Sequence, residues 1–207
     1  LTLAGKPAAA AGEKTDTDEA TPRSTVEALL LMATIAERNK DYDKANGYLD
    51  SIYSPTHAPR ITVRRASIAA AQGKLEEARA MLRDMPTGNA EALRARYNAE
   101  LQLLRERKLT QQAHDLTQEA AQALPDDPVW RYEQAMLAEK LGRIADMEDL
   151  LRKLIASHPQ YHPPYNALGY SLADRNVSLA EARQLVSKAL EFAPDDARQT
   201  PGGRTRC

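Results

Sequence analysis

The stretch YNALGYSLADRNVSLAEARQLVSKALEFAPDD, Tyr165 to Asp196, decides the fold. It is too apolar for a loop and too rich in small residues for an ordinary surface helix. Leu168 and Gly169 come early, Ala182 in the middle, Ala189 later and Pro194 at the end. Small side chains let two helix axes approach at the short end of the ~8–10 Å range. Proline stops a helix, because it has no N–H to donate and biases the preceding residue away from α geometry. The stretch therefore predicts two closely apposed helices, the second ended by Pro194.

The same arrangement recurs upstream. After turns rich in Gly, Asp or Glu stand Ala45, Ala78, Ala113, Met147 and Ala182, spaced 33, 35, 34 and 35 residues apart. Twelve residues before each marker, or thirteen in the last unit, stands Ala33, Ala66, Leu101, Ala135 or Gly169. Four residues after come Leu49, Leu82, Thr117, Leu151 and Val186, and seven after come Ile52, Met85, Ala120, Leu154 and Ala189. Pro125, Pro159 and Pro194 close the last three units. A fixed period of this length marks a repeat architecture.

This period and these positions resemble the tetratricopeptide repeat family. The resemblance covers units of about 26–57, 59–88, 94–127, 128–161 and 162–196, and is strongest at Tyr165, Leu168, Gly169, Ala182, Ala189 and Pro194. It departs from the family at Leu101 and Met147, where larger side chains replace small ones, and unit two ends early at Asp84-Met85-Pro86. It implies an all-α solenoid of helix-turn-helix units, ten helices winding into a right-handed superhelix over residues 23–197. One unit cannot bury its apolar face alone, whereas a stack can. Asp126-Asp127-Pro128 reads as an N-cap followed by a proline at the first turn, so the acids there are punctuation rather than catalysts.

Composition agrees with a helical protein. Hydrophobic residues make up 43% of the 207, charged residues 28% and aromatics 5%. Ala and Leu abound, and both lose little on entering a helix. Lys plus Arg number 28 against 29 for Asp plus Glu, so no global field recruits nucleic acid. No apolar run reaches the ~20 residues that cross a bilayer. Residues 1–22, mixing Ala, Gly, Thr and acids, read as a flexible leader beginning at a processing or cloning boundary. Residues 198–207 read as a disordered tail holding the sole cysteine, Cys207.

Chemistry-bearing motifs are sparse. His158 and His162 are four apart, but Pro159, Pro163 and Pro164 make that segment a turn, so no metal site is expected. Ser171 lacks a nucleophile elbow, and neither a P-loop nor a dinucleotide fingerprint occurs. No catalytic residue and no cofactor is expected.

The resemblance points instead to the concave face, which this family lines with the first helix of each unit. By register that face takes Leu30, Thr34, Glu37 and Arg38, then Arg60, Val63, Ser67 and Ala70. The partner-binding groove proper is expected at Asn98, Gln102, Arg105, Tyr132, Met136, Glu139, Asn166 and Tyr170. Amides can pair with an extended peptide backbone, and Tyr or Met can receive apolar side chains. Leu30, Thr34, Val63 and Ser67 stand where carboxylate-gripping co-chaperones of the family carry polar clamps, which argues against chaperone-tail binding. The expected partner is a protein or peptide segment. The Pro/Gly/Arg-rich tail is not expected to form a capping helix, so cover for Leu185, Leu190 and Phe192 is expected from further repeats or from another copy in a homo-oligomer.

More narrowly, residues 165–196, with the extended turn Ala173–Ser178, resemble lipoprotein adaptors with such repeats at the Gram-negative outer membrane. That resemblance implies a periplasmic or membrane-tethered location, with a cytoplasmic one as the alternative. It also implies adaptor work for a protease or envelope complex. The competing expectation is a structural assembly module that packs through its ends or convex face.

Overall fold

The structure, a computed structural model, describes residues 21–192. The leader up to residue 20, Pro194, Asp195-Asp196, the tail 198–207 and Cys207 lie outside the described residues. Within them the chain is all-α, with no strand. The helices are α1 (Arg23–Arg38), α2 (Tyr42–Asp50), α3 (Ala58–Ala71), α4 (Leu75–Arg83) and α5 (Ala90–Glu106). They continue as α6 (Thr110–Ala123), α7 (Pro128–Lys140), α8 (Ile144–Ser157), α9 (Pro163–Asp174) and α10 (Leu179–Phe192), with a 3₁₀ turn at Pro55–His57. They form tandem antiparallel hairpins in two compact units, divided between Ala78 and Arg79.

Small residues sit where the helices of a hairpin meet. In the first unit Ala33 and Ala45 are fully buried in a core with Val26, Leu30, Leu49, Ile52 and Ile68. In the second, Ala135 and Ala182 share a core with Ala138, Met147, Leu151, Leu168 and Leu172. Gly169 is the tightest case. A Cβ there would lie 2.8 Å from Cγ2 of Val186, 3.0 Å from the carbonyl oxygen of Ala182 and 3.2 Å from Cβ of Leu185. One of those contacts is backbone, so the helices would have to part. Met147 replaces a small residue yet is fully buried, its flexible thioether filling the space.

The turn inside each hairpin is built the same way five times. Lys40, Gly73, Lys108, Gly142 and Asn176 hold φ of 61°, 86°, 57°, 73° and 56°. In the first, the Lys40 N–H donates to the Glu37 carbonyl and the Asp41 N–H to the Ala36 carbonyl, both at 2.9 Å. The same two bonds recur at Gly73-Lys74, Lys108-Leu109, Gly142-Arg143 and Asn176-Val177. This is the Schellman closure, which satisfies the last carbonyls of a helix through a left-handed residue. Glycine adopts that conformation freely, whereas a lysine is strained there by about 1–2 kcal/mol.

Helix ends follow local chemistry. Leu124 and His158, each before a proline, leave α geometry at φ −127°, ψ 66° and φ −132°, ψ 70°. The Asp127 carboxylate accepts from the Val129 N–H at 3.1 Å, and Pro128 opens α7. The sequence reading runs the flexible leader through Pro22. The structure instead ties Thr21 down: its N–H donates to the Tyr53 carbonyl and its Oγ1 accepts from the Tyr53 N–H, both at 2.9 Å. Pro22 is then the N-cap residue of α1.

One buried charge was not foreseen. Glu100 of α5 is fully buried, accepting from Arg79 Nε at 2.8 Å and lying 3.1 Å from Arg83 Nη2. Two guanidinium groups from α4 thus compensate a carboxylate removed from water. Breaking such a set by deleting one partner costs more than replacing the whole with apolar residues.

Two stability outcomes are expected. Gly169→Ala and Ala66→Leu should each cost about 1–3 kcal/mol by overpacking, measured as a lower urea midpoint at unchanged slope. Lys108→Gly should raise stability by up to about 1 kcal/mol by relieving a left-handed lysine, while Gly142→Ala should lower it by about 1–2 kcal/mol. Thermal unfolding followed by circular dichroism checks both signs.

Candidate functional site

The face expected from the repeat register is the polar and partly apolar side of the first helices. In the second unit α5 carries Asn98, Gln102 and Arg105, α7 carries Tyr132, Met136 and Glu139, and α9 carries Asn166 and Tyr170. Asn98, Gln102, Arg105, Glu139, Asn166 and Tyr170 are exposed, whereas Tyr132 and Met136 are half-buried. Both of the latter pack on the α7–α9 core, and the Tyr132 ring meets Tyr161 edge-on, centroids 6.2 Å apart. Tyr170 is 69% exposed, a large apolar ring with most of its surface in water.

Several polar groups here are already engaged. Gln102 donates to Glu106 at 2.9 Å, and Arg105 of α5 pairs with Glu133 of α7. Arg94 reaches Asp127 at 2.7 Å, joining the same two helices at their other end. These pairs fix the register of successive first helices. Asn98 and Asn166 keep amides turned to solvent, the groups best suited to a peptide backbone.

In the first unit the sequence register needs correction. Ala70 is buried rather than lining an open face, because it belongs to the packed side of α3. Leu30 is also largely buried within the α1 core, showing only an edge. What remains open is a hollow of about 240 Å³ lined by Glu27, Leu30, Leu31, Thr34, Arg60 and Arg64. Arg60 grips Glu27 through both guanidinium nitrogens at 2.6 and 3.1 Å. Glu37 accepts from Arg64 at 3.0 Å and from Ser67 at 2.6 Å. Thr34 turns its hydroxyl back to the Leu30 carbonyl at 2.8 Å.

Glu27, Leu31 and Glu133 were missed by the register reading. A signal existed for Glu27: an opposite charge about one period on, at Arg60, 33 residues away, a spacing repeated at Arg94 and Asp127. The Arg60 hydrogen bond holds the Glu27 carboxyl below its ordinary range, and Glu27 in turn raises Arg60. Burial raises the Tyr132 phenol, helped by Glu133 and Glu139, and burial likewise raises Tyr161. Among the described residues no group of three His, Cys, Asp or Glu is placed to hold a metal ion. No described helix is long and apolar enough to cross a membrane.

The raised phenols give a sign-defined prediction. A group held protonated in the fold contributes fully below its unfolded value of about 10, and that contribution fades as pH rises through the folded value. Tyrosinate absorbance should therefore lag free tyrosine in alkaline titration, and Tyr132→Phe should remove part of the lag.

Comparison with known proteins agrees with this architecture. Residues 27–54 and 131–161 match the family described as "Tetratricopeptide repeat". A curated TPR repeat-containing protein of Pseudomonas aeruginosa is 30% identical over 165 residues, which is 80% of this chain. The chain spans 28% of the length of that relative. Among solved structures, a MamA RS-1 double mutant matches with TM-score 0.50 at 13% identity, covering 84% of this chain and 98% of that one. A crystal structure of MamA protein matches with TM-score 0.50 at 17% identity, covering 88% and 99%. At these identities the likeness is one of fold.

Proposed function

We propose that this chain is a tetratricopeptide-repeat adaptor, non-enzymatic, that holds a segment of a partner protein along the first-helix face of α5, α7 and α9. The observation that carries this reading is Tyr170, an exposed aromatic ring on the same repeat face as the free amides of Asn98 and Asn166. Aromatic rings supply much contact area at small entropic cost, and amides bond an extended backbone, so together they suit a peptide rather than a small metabolite. Tyr132 and Met136 form the half-buried floor, able to accept an apolar side chain.

The finer reading is an envelope adaptor, tethered at the outer membrane or in the periplasm and serving a protease or other complex. Its support is the sequence likeness of residues 165–196 to lipoprotein adaptors. Fractionation of source cells tests it: recovery in the soluble cytoplasmic fraction overturns the location while leaving the groove intact. The second reading, an assembly module working through its ends or convex face, has its own observation in Met32 and Ile35 of α1, apolar side chains 42% and 51% exposed.

Replacing Tyr170 and Gln102 by Ala separates binding from folding, because both side chains are exposed. Pull-down from source extract should lose its partner with these variants and with the Tyr132, Met136 and Tyr170 triple Ala variant, helicity staying unchanged. A loss of about tenfold or more in affinity corresponds to one to two hot-spot residues. Unchanged capture by all variants moves the contact away from this face.

A further inference from the structure

One aromatic ring of the second unit stands where the repeat before it has a capping acid. Between α8 and α9 the chain reads His158-Pro159-Gln160-Tyr161, and 34 residues earlier it reads Leu124-Pro125-Asp126-Asp127. Asp127 caps α7, its carboxylate accepting from the Val129 N–H. Tyr161 occupies the equivalent place before α9, and that helix begins without a side-chain cap hydrogen bond. Pro163 and Pro164 make this tolerable, because they remove the first N–H groups that a cap would serve. Position 161 is thereby released from capping, and its ring is half-buried rather than sunk in the core.

What the ring meets is Tyr132. The two planes stand at 90° with centroids 6.2 Å apart, so the pair forms two walls of a corner. Tyr132 lies on α7, with a first helix before it and another after it; Asn98 and Asn166, both exposed, hold its register position on those neighbours. Burial holds both phenols above their ordinary range, and the other charges that bear on them are carboxylates, Glu133 and Glu139 on Tyr132 and Asp127 and Glu133 on Tyr161. Asp127 and Glu133 are already paired with Arg94 and Arg105. Glu139 is exposed and has no ion pair among the described residues. Ring faces are electron-rich and attract a cation within about 6 Å of the centroid. Met136, one turn on from Tyr132, is a half-buried apolar surface on which the stem of a long basic side chain can lie.

We propose that the corner of Tyr132 and Tyr161 seats a basic side chain of the partner segment, arginine in preference to lysine, its stem along Met136. Arginine is preferred because its planar, weakly hydrated guanidinium stacks on a ring face, whereas an ammonium holds its water tightly. The unpaired charge of Glu139 adds to the attraction. This inference rests on the reading of the α5, α7 and α9 face as the partner-binding face, and it states the chemistry of the partner there: an extended segment with a basic residue placed to reach the corner.

Two peptides test it by NMR titration of the whole chain, acetyl-Gly-Gly-Arg-Gly-Gly-amide and its citrulline counterpart, which keeps the shape and loses the charge. The arginine peptide should shift the ring signals of Tyr132 and Tyr161 with a dissociation constant in the millimolar range. The citrulline peptide should bind at least about fivefold more weakly, the effect of a cation on a half-exposed ring. Tyr161→Leu should abolish that difference and Tyr161→Phe should keep it, because phenylalanine retains the ring face. Should Tyr161→Leu lose helicity, Tyr161→Gln takes its place in the same comparison. Equal binding of the two peptides overturns the proposal. So do ring signals that the arginine peptide leaves unmoved, or an undiminished difference in the variant without the ring. The groove reading fails separately: if the Tyr170 and Gln102 variants keep their partner while the peptides are told apart, the groove falls and the basic-side-chain seat stands. If those variants lose the partner while the peptides bind alike, the seat falls and the groove stands.

Discussion

Everything in this chain rests on how near two antiparallel helices can come. At Gly169 the approach is so close that a single added carbon would lie 2.8 Å from a Val186 methyl and 3.0 Å from a backbone carbonyl. Buried alanines stand at the corresponding contact of the first hairpin, Ala33 and Ala45. Close approach brings the aliphatic residues on both sides into contact, so each hairpin has a flat apolar flank to offer its neighbour. Without it, the leucines of α8 and α9 could not share one core. The Schellman turns serve the same end, reversing the chain in few residues so that partner helices begin already side by side.

The parts of the fold that depend on side-chain size were legible in the sequence, because size is written directly in residue type. Alanine at a 34-residue rhythm and prolines after α6 and α8 fixed helix pairing and helix ends. The left-handed turn was harder to see. Gly73 and Gly142 announce it, but Lys40 and Lys108 occupy the same conformation in disguise, held by two backbone bonds that no residue type reveals. Glu100 was hidden for a similar reason. A glutamate on a helix ordinarily signals solvent, and only the arrival of Arg79 and Arg83 from another helix allows its burial.

The candidate face was legible in its rows but not in its depth. Repeat register placed Asn98, Tyr132 and Asn166 on equivalent points of three successive first helices. It could not say that Tyr132 and Met136 sink partway into the core, because the depth of a side chain depends on the neighbour packed beside it. Ala70 shows the same failure more plainly: its register matched an open face, and its burial reflects the packed side of α3.

The exposed polar residues also divide by what they are already doing. Arg60, Arg64, Arg94 and Arg105 each reach an acid or a helix cap on the next or previous first helix, so their charge is spent on register. Exposed pairs of this kind contribute little stability each, but they resist a sliding of one repeat along another, which would separate opposite charges without compensation. The exposed groups outside these pairs on α5 and α9 include the amides of Asn98 and Asn166 and the ring of Tyr170. These amides and this ring are uncharged and offer shape and hydrogen bonds instead of a field. On the proposed reading, selectivity would come from the spacing of side chains along a bound segment, which the repeat period sets, rather than from long-range attraction.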